Sequence, residues 1–566
     1  MSNKIFHLLL YLTLIFALVL RVFGINWDQG SHLHPDERAI VLSVLGLSFP
    51  QTLQEFLQST SSWNTHFFAY GSFPFYLLRL AGDLVGLLQK TYAGYDGIQL
   101  VGRLLSTLFD LGTIVVLYHL GRNIHNKITG LIASFLYTIS VLPIQLSHFY
   151  AVDTPLTFFI TLLLFLLVLF YEKPTVKKSL LIGIVFGFSL ATKISSLVAF
   201  SAIGITLSID FLLLFLRSPH RTSLWRPHIP AFVKKLCIDG SLIIVFTVFT
   251  YALLSPYTFI DADKFIQQTN EQSRMTKDAF TFPYTFQYAL KTPYLYELKN
   301  IYLFGLGPVL GTLSMIGLFI FLHASVTSGK KILAKHIIIL TFLLFYFGIV
   351  GGFAVGFMRY MLPLYPLFCL FGALTLQKLF TYYPLKNKFF ISCYILLAIF
   401  LLVWPLSFLH VYKSTHTRII ATEWIHANIP EGKTIALEHW DDGLPLSGIE
   451  KYTVLTLPLY EPDTDVKWAG IHETISHTDY IILASNRLYV PLQKLTECDK
   501  LPQGRCYVRT TLYYQSLFNG LLGFKKIAEF SSYPTVPILG LRINDQGADE
   551  SFTVYDHPII LIFKKQ

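Results

Sequence analysis

The stretch His32-Leu33-His34-Pro35-Asp36-Glu37-Arg38 sets two adjacent carboxylates among two imidazoles and a guanidinium. Such a set can move protons, and a carboxylate held among other acids and apolar walls can have its pKa raised. The same residues could equally form a solvated loop around a proline turn. A lone acid, Asp153, stands in Ala151-Val152-Asp153-Thr154-Pro155 between two apolar blocks. An ionisable group at a span boundary is costly and often functional, although Asp ahead of an early Pro also caps a helix. Lys193 closes the run Gly187-Phe188-Ser189-Leu190-Ala191-Thr192-Lys193, and Arg359 lies in Phe357-Met358-Arg359-Tyr360-Met361-Leu362-Pro363. Each cation can snorkel to the membrane interface or hold a phosphate there, Arg through a bidentate fork.

The blocks between these residues are built for a membrane. Of 566 residues, 53% are hydrophobic and only 14% are charged, against roughly 25% charged in a soluble domain. A soluble chain of this length needs far more polar surface to cover its core. One span takes about 20 mostly apolar residues, and an aromatic content of 16% suits the water–lipid interface. The net charge of +10 comes from short basic clusters between the blocks, which points to membrane orientation and not to nucleic acid. The first block, residues 5–23, shows no small-residue cleavage site and ends beside Arg21, so it reads as a span with Lys4 on the cytoplasmic side. Residues 24–98 then lie outside, with 73–88, interrupted by Arg79 and Asp83, as an interfacial helix. On this register the inward loops 121–127, 172–178, 217–235, 330–335 and 378–388 each hold at least two Lys or Arg. The outward turns 145–152 and 353–357 hold none. The positive-inside rule favours that arrangement, which has about eleven spans. A longer outward loop, 255–299, is rich in Tyr and Phe.

Near residue 410 the pattern changes to short blocks of alternating polarity. Residues 417–428 predict an amphipathic helix ended by Pro430, and 434–438 and 480–484 predict buried strands. The expected domains are residues 1–409, membrane-embedded, and residues 410–566, a soluble α/β domain of ordinary size outside the cytoplasm. Cys237, Cys369 and Cys393 lie in or beside apolar blocks as packing residues. Cys498 and Cys506 could pair if their region faces an oxidising compartment. The acids of Glu438-His439-Trp440-Asp441-Asp442-Gly443-Leu444-Pro445 follow a strand and read either as a loop end or as a contact to an acceptor. The chain has no internal repeat and no low-complexity tract.

The order of these motifs resembles the GT-C glycosyltransferases of family 39, the protein O-mannosyltransferase-like group. Asp36-Glu37 matches that family's Asp-Glu pair in the first outer loop, and Asp153 its second Asp before the fourth span. Lys193 matches a Lys after a Gly-rich fifth span in bacterial members, and Arg359-Tyr360-Met361-Leu362-Pro363 an Arg-Tyr-Leu-Leu-Pro-like span start. The resemblance covers the membrane region; the C-terminal region departs from the eukaryotic mannosyltransferases and looks like the periplasmic tails of bacterial relatives. It implies a polytopic α-helical membrane protein of GT-C-like fold with about 11 transmembrane helices and a C-terminal extracytoplasmic α/β domain, in the plasma membrane. It also implies transfer of a sugar, a hexose such as mannose, from a polyprenyl-phosphate donor to a hydroxyl of a protein, lipid or glycan acceptor. Asp36 would then be the general base, with Glu37 and Asp153 orienting it or the acceptor. Lys193 and Arg359 would stabilise the leaving phosphate, and His34 and Tyr360 would touch substrate. No cofactor is expected and no His/Cys/Asp spacing suggests a zinc site, although His32, His34 and the nearby acids could bind a divalent ion. Two other readings stay open. A multi-pass secondary transporter or lipid-binding protein fits the spans, although paired repeats with broken helices are missing and the acids cluster at the outer boundary. A receptor fits the soluble region, although one helix suffices for anchoring.

Overall fold

Apolar runs of span length become helices throughout the membrane region of the computed structural model, which describes residues 3–217, 229–384 and 386–566. Among the described residues, nine helices are long and apolar enough to cross a membrane, or ten if the bent pair Lys127–Thr138 and Val141–Ser147 forms one span. Val176–Thr192, 17 residues long, falls at the short end of the range a span needs, about 17–25. With it the region matches the expected number of about eleven. Polar caps start several of these helices. The Asn126 side chain accepts from Thr129 N at 2.9 Å, and Asn387 accepts from Phe389 N at 2.9 Å. Each such bond satisfies an amide that the first turn leaves free.

The basic turns gather at one end of the bundle. Lys335 donates to the Asn123 carbonyl at 2.8 Å and pairs with Glu172, and Thr129 bonds Gln377. The basic loop expected over 217–235 has residues 218–228 outside the described part. At the other end, Phe73–Gly86 is a helix of 14 residues, too short to cross, packed against Pro35–Leu45 and Tyr95–Ile124. Of the cysteines expected to pack, only Cys369 is buried; Cys237 and Cys393 lie exposed on the bundle's outside. Apolar runs in a membrane face lipid as readily as protein.

Five strands, β1 (Thr434–Glu438), β2 (Thr453–Leu457), β3 (Tyr480–Leu483), β4 (Phe524–Phe530) and β5 (Ile560–Lys565), form one sheet in the order β2-β1-β3-β5-β4. β1 is parallel to β2 and β3, and β5 runs antiparallel to β3 and β4. Side chains alternate faces along a strand. Ala436, Ile481, Leu483, Leu561 and Phe563 therefore join one core, with Trp468 and Tyr514. Ile435, Leu437, Ile482, Ile560 and Ile562 join the other, with Ile425 of the helix Thr417–Asn428. That helix and the strands expected over 434–438 and 480–484 form as the sequence pattern predicts, the last one residue shorter. Cys498 and Cys506 form a disulfide.

The segment between β4 and β5 returns to the helix bundle. Gln145 Nε2 donates to the Phe552 carbonyl at 2.8 Å and to Asp556 at 3.0 Å. The Tyr412 hydroxyl donates to Asp556 at 2.8 Å, and His557 sits between Asp545 and Asp556. Val554 and Tyr555 pack into the bundle's own core.

Candidate active site

The helix Pro35–Leu45 starts with Pro35 in its first turn and His34 as its cap, whose Nδ1 accepts from Glu37 N at 3.3 Å. Asp36 and Glu37 follow, where carboxylates favour the helix dipole. Successive residues on a helix point about 100° apart, and the two acids enter different surroundings. Glu37 turns inward. Its carboxylate accepts from Arg103 Nη2 at 2.6 Å, from Arg103 Nε at 3.0 Å and from Tyr150 N at 2.8 Å. Arg103 also donates to Asp28 at 2.8 and 3.0 Å and to the Ile25 carbonyl at 2.8 Å. All five guanidinium donors are used, and Glu37, Asp28 and Arg103 have no exposed surface.

Asp36 turns the other way, onto a cavity of about 620 Å³, within the range of small-molecule sites, roughly 300–1,000 Å³. Its Oδ2 lies 2.9 Å from Arg359 Nη2 but lacks hydrogen-bond alignment. Burial works to raise the Asp36 pKa; the Arg359 guanidinium, His34 and Tyr70 outweigh it and hold the carboxyl below its ordinary value of 3.8. The sequence allows a raised pKa, and the cation delivered from a distant span reverses that.

Asp153 opens the span Asp153–Glu172 without making a side-chain cap bond. Its Oδ1 instead accepts from Lys193 Nζ at 2.8 Å, and its Oδ2 lies 3.7 Å from Arg359 Nε. Lys193 ends Val176–Thr192 with extended backbone and stands 4.4 Å over the Tyr360 ring. Gly71 lets the loop carrying Tyr70 rest on that same helix end: its N–H donates to the Thr192 carbonyl at 3.0 Å, and a Cβ there would strike Ala191 backbone. Arg359, in the short helical turn Met358–Leu364, is 8% exposed and faces the rings of Phe357 and Tyr360 at 4.3 and 5.6 Å. Its Nε and Nη1 have no hydrogen-bond partner. Neither cation snorkels; both are drawn into the acid cluster.

Asp36, Lys193, Arg359 and Tyr360 line the cavity, with Asp153 bonded directly behind. Glu37 and His34 do not line it. The His34 ring is wedged between Phe149 and Tyr555, each at 4.4 Å, and burial lowers its pKa to about 3. It caps the helix that carries Asp36. The far wall holds Trp440, Asp441 and Asp442 of the segment that the sequence left open as a loop end or an acceptor contact, and Arg418, Arg487 and Tyr555, which motif reading missed. Among the described residues no group of three or more His, Cys, Asp or Glu could hold a metal ion.

The segment 96–248, which carries Asp153 and Lys193, matches the family model described as dolichyl-phosphate-mannose-protein mannosyltransferase. The chain is a membrane glycosyltransferase, similar over that segment to this family. The matched segment is about a quarter of this glycosyltransferase's chain and leaves Asp36 and Arg359 outside it. A search of curated proteins found no match. Among solved structures, the archaeal oligosaccharyltransferase AglB from Archaeoglobus fulgidus, in complex with an inhibitory peptide and a dolichol-phosphate, is similar at 13% identity. That alignment covers 99% of this chain and 88% of AglB, with a TM-score of 0.49. ArnT from Cupriavidus metallidurans, bound to undecaprenyl phosphate, is similar at 14% identity over 89% of this chain and 96% of ArnT, with a TM-score of 0.45.

Proposed function

We propose that this chain transfers a sugar, a hexose such as mannose, from a polyprenyl-phosphate carrier to an acceptor hydroxyl in the cavity beside Asp36. The observation that supports it most is Arg359. A guanidinium more than nine-tenths buried, with two unpartnered nitrogens beside Lys193, is prepared for an oxyanion that would complete its bonding. A second groove of about 340 Å³ shares Lys193 and Tyr360 and continues along Ile194, Val350 and Phe353, giving a lipid tail an apolar exit.

In this reading the acceptor oxygen bonds the anomeric carbon as the bond from that carbon to the phosphate oxygen breaks. The electron pair leaves on the lipid phosphate, where Lys193 and Arg359 meet the charge. Asp36 takes the acceptor proton. Donor phosphate competes for Arg359, so binding it frees Asp36 from its cation and strengthens the base when it is needed. Asp153 holds Lys193 in place, Tyr360 shapes the phosphate pocket, and Glu37 and His34 position Asp36 through the helix they anchor. No resident metal takes part, because protein cations serve the leaving group; activity lost in chelator and restored by a divalent ion would overturn that.

The cavity belongs on the extracytoplasmic side of the plasma membrane. The basic turns at the opposite end and the Cys498–Cys506 disulfide both support this. The membrane part, residues 1–409, would supply the donor side, and residues 410–566 the outer wall. The test is transfer of label from a panel of polyprenyl-phosphate sugars to mixed peptide, lipid and glycan acceptors, with Asp36→Asn beside the wild type. Transfer that requires Asp36 is expected; equal transfer by the variant sinks the base assignment.

A further inference from the structure

The outer wall of the cavity has the chemistry of a sugar-binding surface. Trp440 leaves β1 at φ 73°, a left-handed conformation rare for a bulky residue and kept only where its surroundings hold it. Its ring is framed by Tyr284 at 6.3 Å, Tyr460 at 6.1 Å and His439 at 5.3 Å, and Arg487 Nη1 donates to its carbonyl at 3.3 Å. Trp440 is nevertheless 39% exposed, and it lines the cavity. Two carboxylates follow. Asp441 accepts from Arg418 Nη2 at 2.7 Å and from Asp442 N at 2.9 Å. Asp442 accepts from Arg38 Nη2 at 3.0 Å and from Arg418 Nη1 at 3.4 Å. Arg418 is 1% exposed, borders the cavity and keeps its Nε without a partner. Arg38 belongs to the same helix as Asp36, so this wall is tied to the residue that would activate the acceptor.

A pyranose ring has an apolar face of C–H bonds and a rim of hydroxyls that both donate and accept. An exposed indole answers the face, and paired Asp and Arg side chains answer the rim. A peptide acceptor would instead be expected to use a free strand edge for its backbone. β1, which leads into this wall, is paired on both sides, with β2 and with β3, and offers side chains only. Resting on the transferase reading above, we infer that Trp440, Asp442, Arg38 and Arg418 form an acceptor subsite for a hexopyranose, so that the acceptor is a glycan.

The test is saturation-transfer NMR on the full-length protein with methyl α-mannopyranoside, methyl α-glucopyranoside and a capped Ser/Thr peptide as probes. Wild type, Trp440→Ala, Trp440→Phe and Asp442→Asn are compared, with melting temperatures checking their folding. Saturable binding of a glycoside is expected, weakened roughly tenfold in Trp440→Ala and largely restored in Trp440→Phe. If Trp440→Ala fails to fold, the same weakening in Asp442→Asn carries the result. Peptide binding that depends on Trp440, with neither glycoside bound, overturns the inference in favour of a protein acceptor. Turnover of labelled donor on the same preparation separates the two readings. Donor turnover without glycoside binding overturns the subsite alone. Glycoside binding without any donor turnover keeps the subsite and removes the transferase reading.

Discussion

Asp36 and Glu37 are neighbours in sequence with opposite fates. The Glu37 cluster is closed: every donor of Arg103 has an acceptor, and water has no access. The Asp36 cluster is open: Arg359 has two idle nitrogens, Asp36 Oδ2 lacks a hydrogen bond, and a cavity adjoins both. A buried ion pair leaves little room for function when its bonds are complete. Left incomplete, it costs stability unless a ligand finishes it. Hydrogen-bond completeness, more than burial or charge, separates the anchoring acid from the one proposed to react.

The largest effect that would break this comparison is on Asp36. Asp36→Asn should lower transfer roughly 10²–10⁴-fold, with a melting temperature near that of the wild type; single-turnover transfer measures the first and calorimetry the second. Arg359→Gln should cost roughly 10²–10³-fold. Lys at that position should recover only part of it, lacking the bidentate fork. The same variant carries a pH signature. With Arg359 present Asp36 sits below 3.8, so its stabilising contribution is present above the ordinary carboxylate value and lost as pH falls through the lower folded one. Without the cation, burial dominates, and the acid limb of kcat/KM should move up by roughly 1–3 units. An unmoved limb would mean that Asp36 is not the titrating base.

Glu37→Ala should act on stability, costing about 3–5 kcal/mol by leaving two buried donors of Arg103 without an acceptor and Asp28 alone to balance its charge, read from thermal unfolding in detergent. The smallest effect concerns a third acid, Glu438, buried without a cation and bonded by the Tyr514 hydroxyl. Burial raises its pKa to about 8. Its favourable contribution is full below the unfolded value of 4.5 and is lost as pH rises through about 8. Glu438→Gln should therefore gain melting temperature over wild type at pH 9 and show no such gain at pH 4.

Much of this architecture is legible in the amino-acid sequence. Span-length apolar runs, basic turns and the helix at Thr417–Asn428 follow from patterns local to a few turns of chain. Asp36, Lys193 and Arg359 stand out because charge at a membrane boundary is expensive. What stays hidden depends on contacts between distant residues. Arg103 lies within the 30-residue helix Tyr95–Ile124 with no motif around it; the cost of an unpaired Arg there is the one signal that could have flagged it. β2 and β4 carry exposed polar positions that mask their alternation. Trp440 and Asp442 stay open in sequence between a loop end and an acceptor contact, because nothing nearby reveals Arg38, 404 residues away.

The return of the segment around Phe552 and Tyr555 into the helix bundle also sets an order of events during synthesis. The ribosome delivers every membrane helix long before it delivers Tyr555 or β5. Until then the sheet lacks the strand that joins β3 to β4, and Gln145 and Tyr412 wait for Asp556. A half-made chain can thus sit in the bilayer with its pocket unfinished until Tyr555 and β5 have been made.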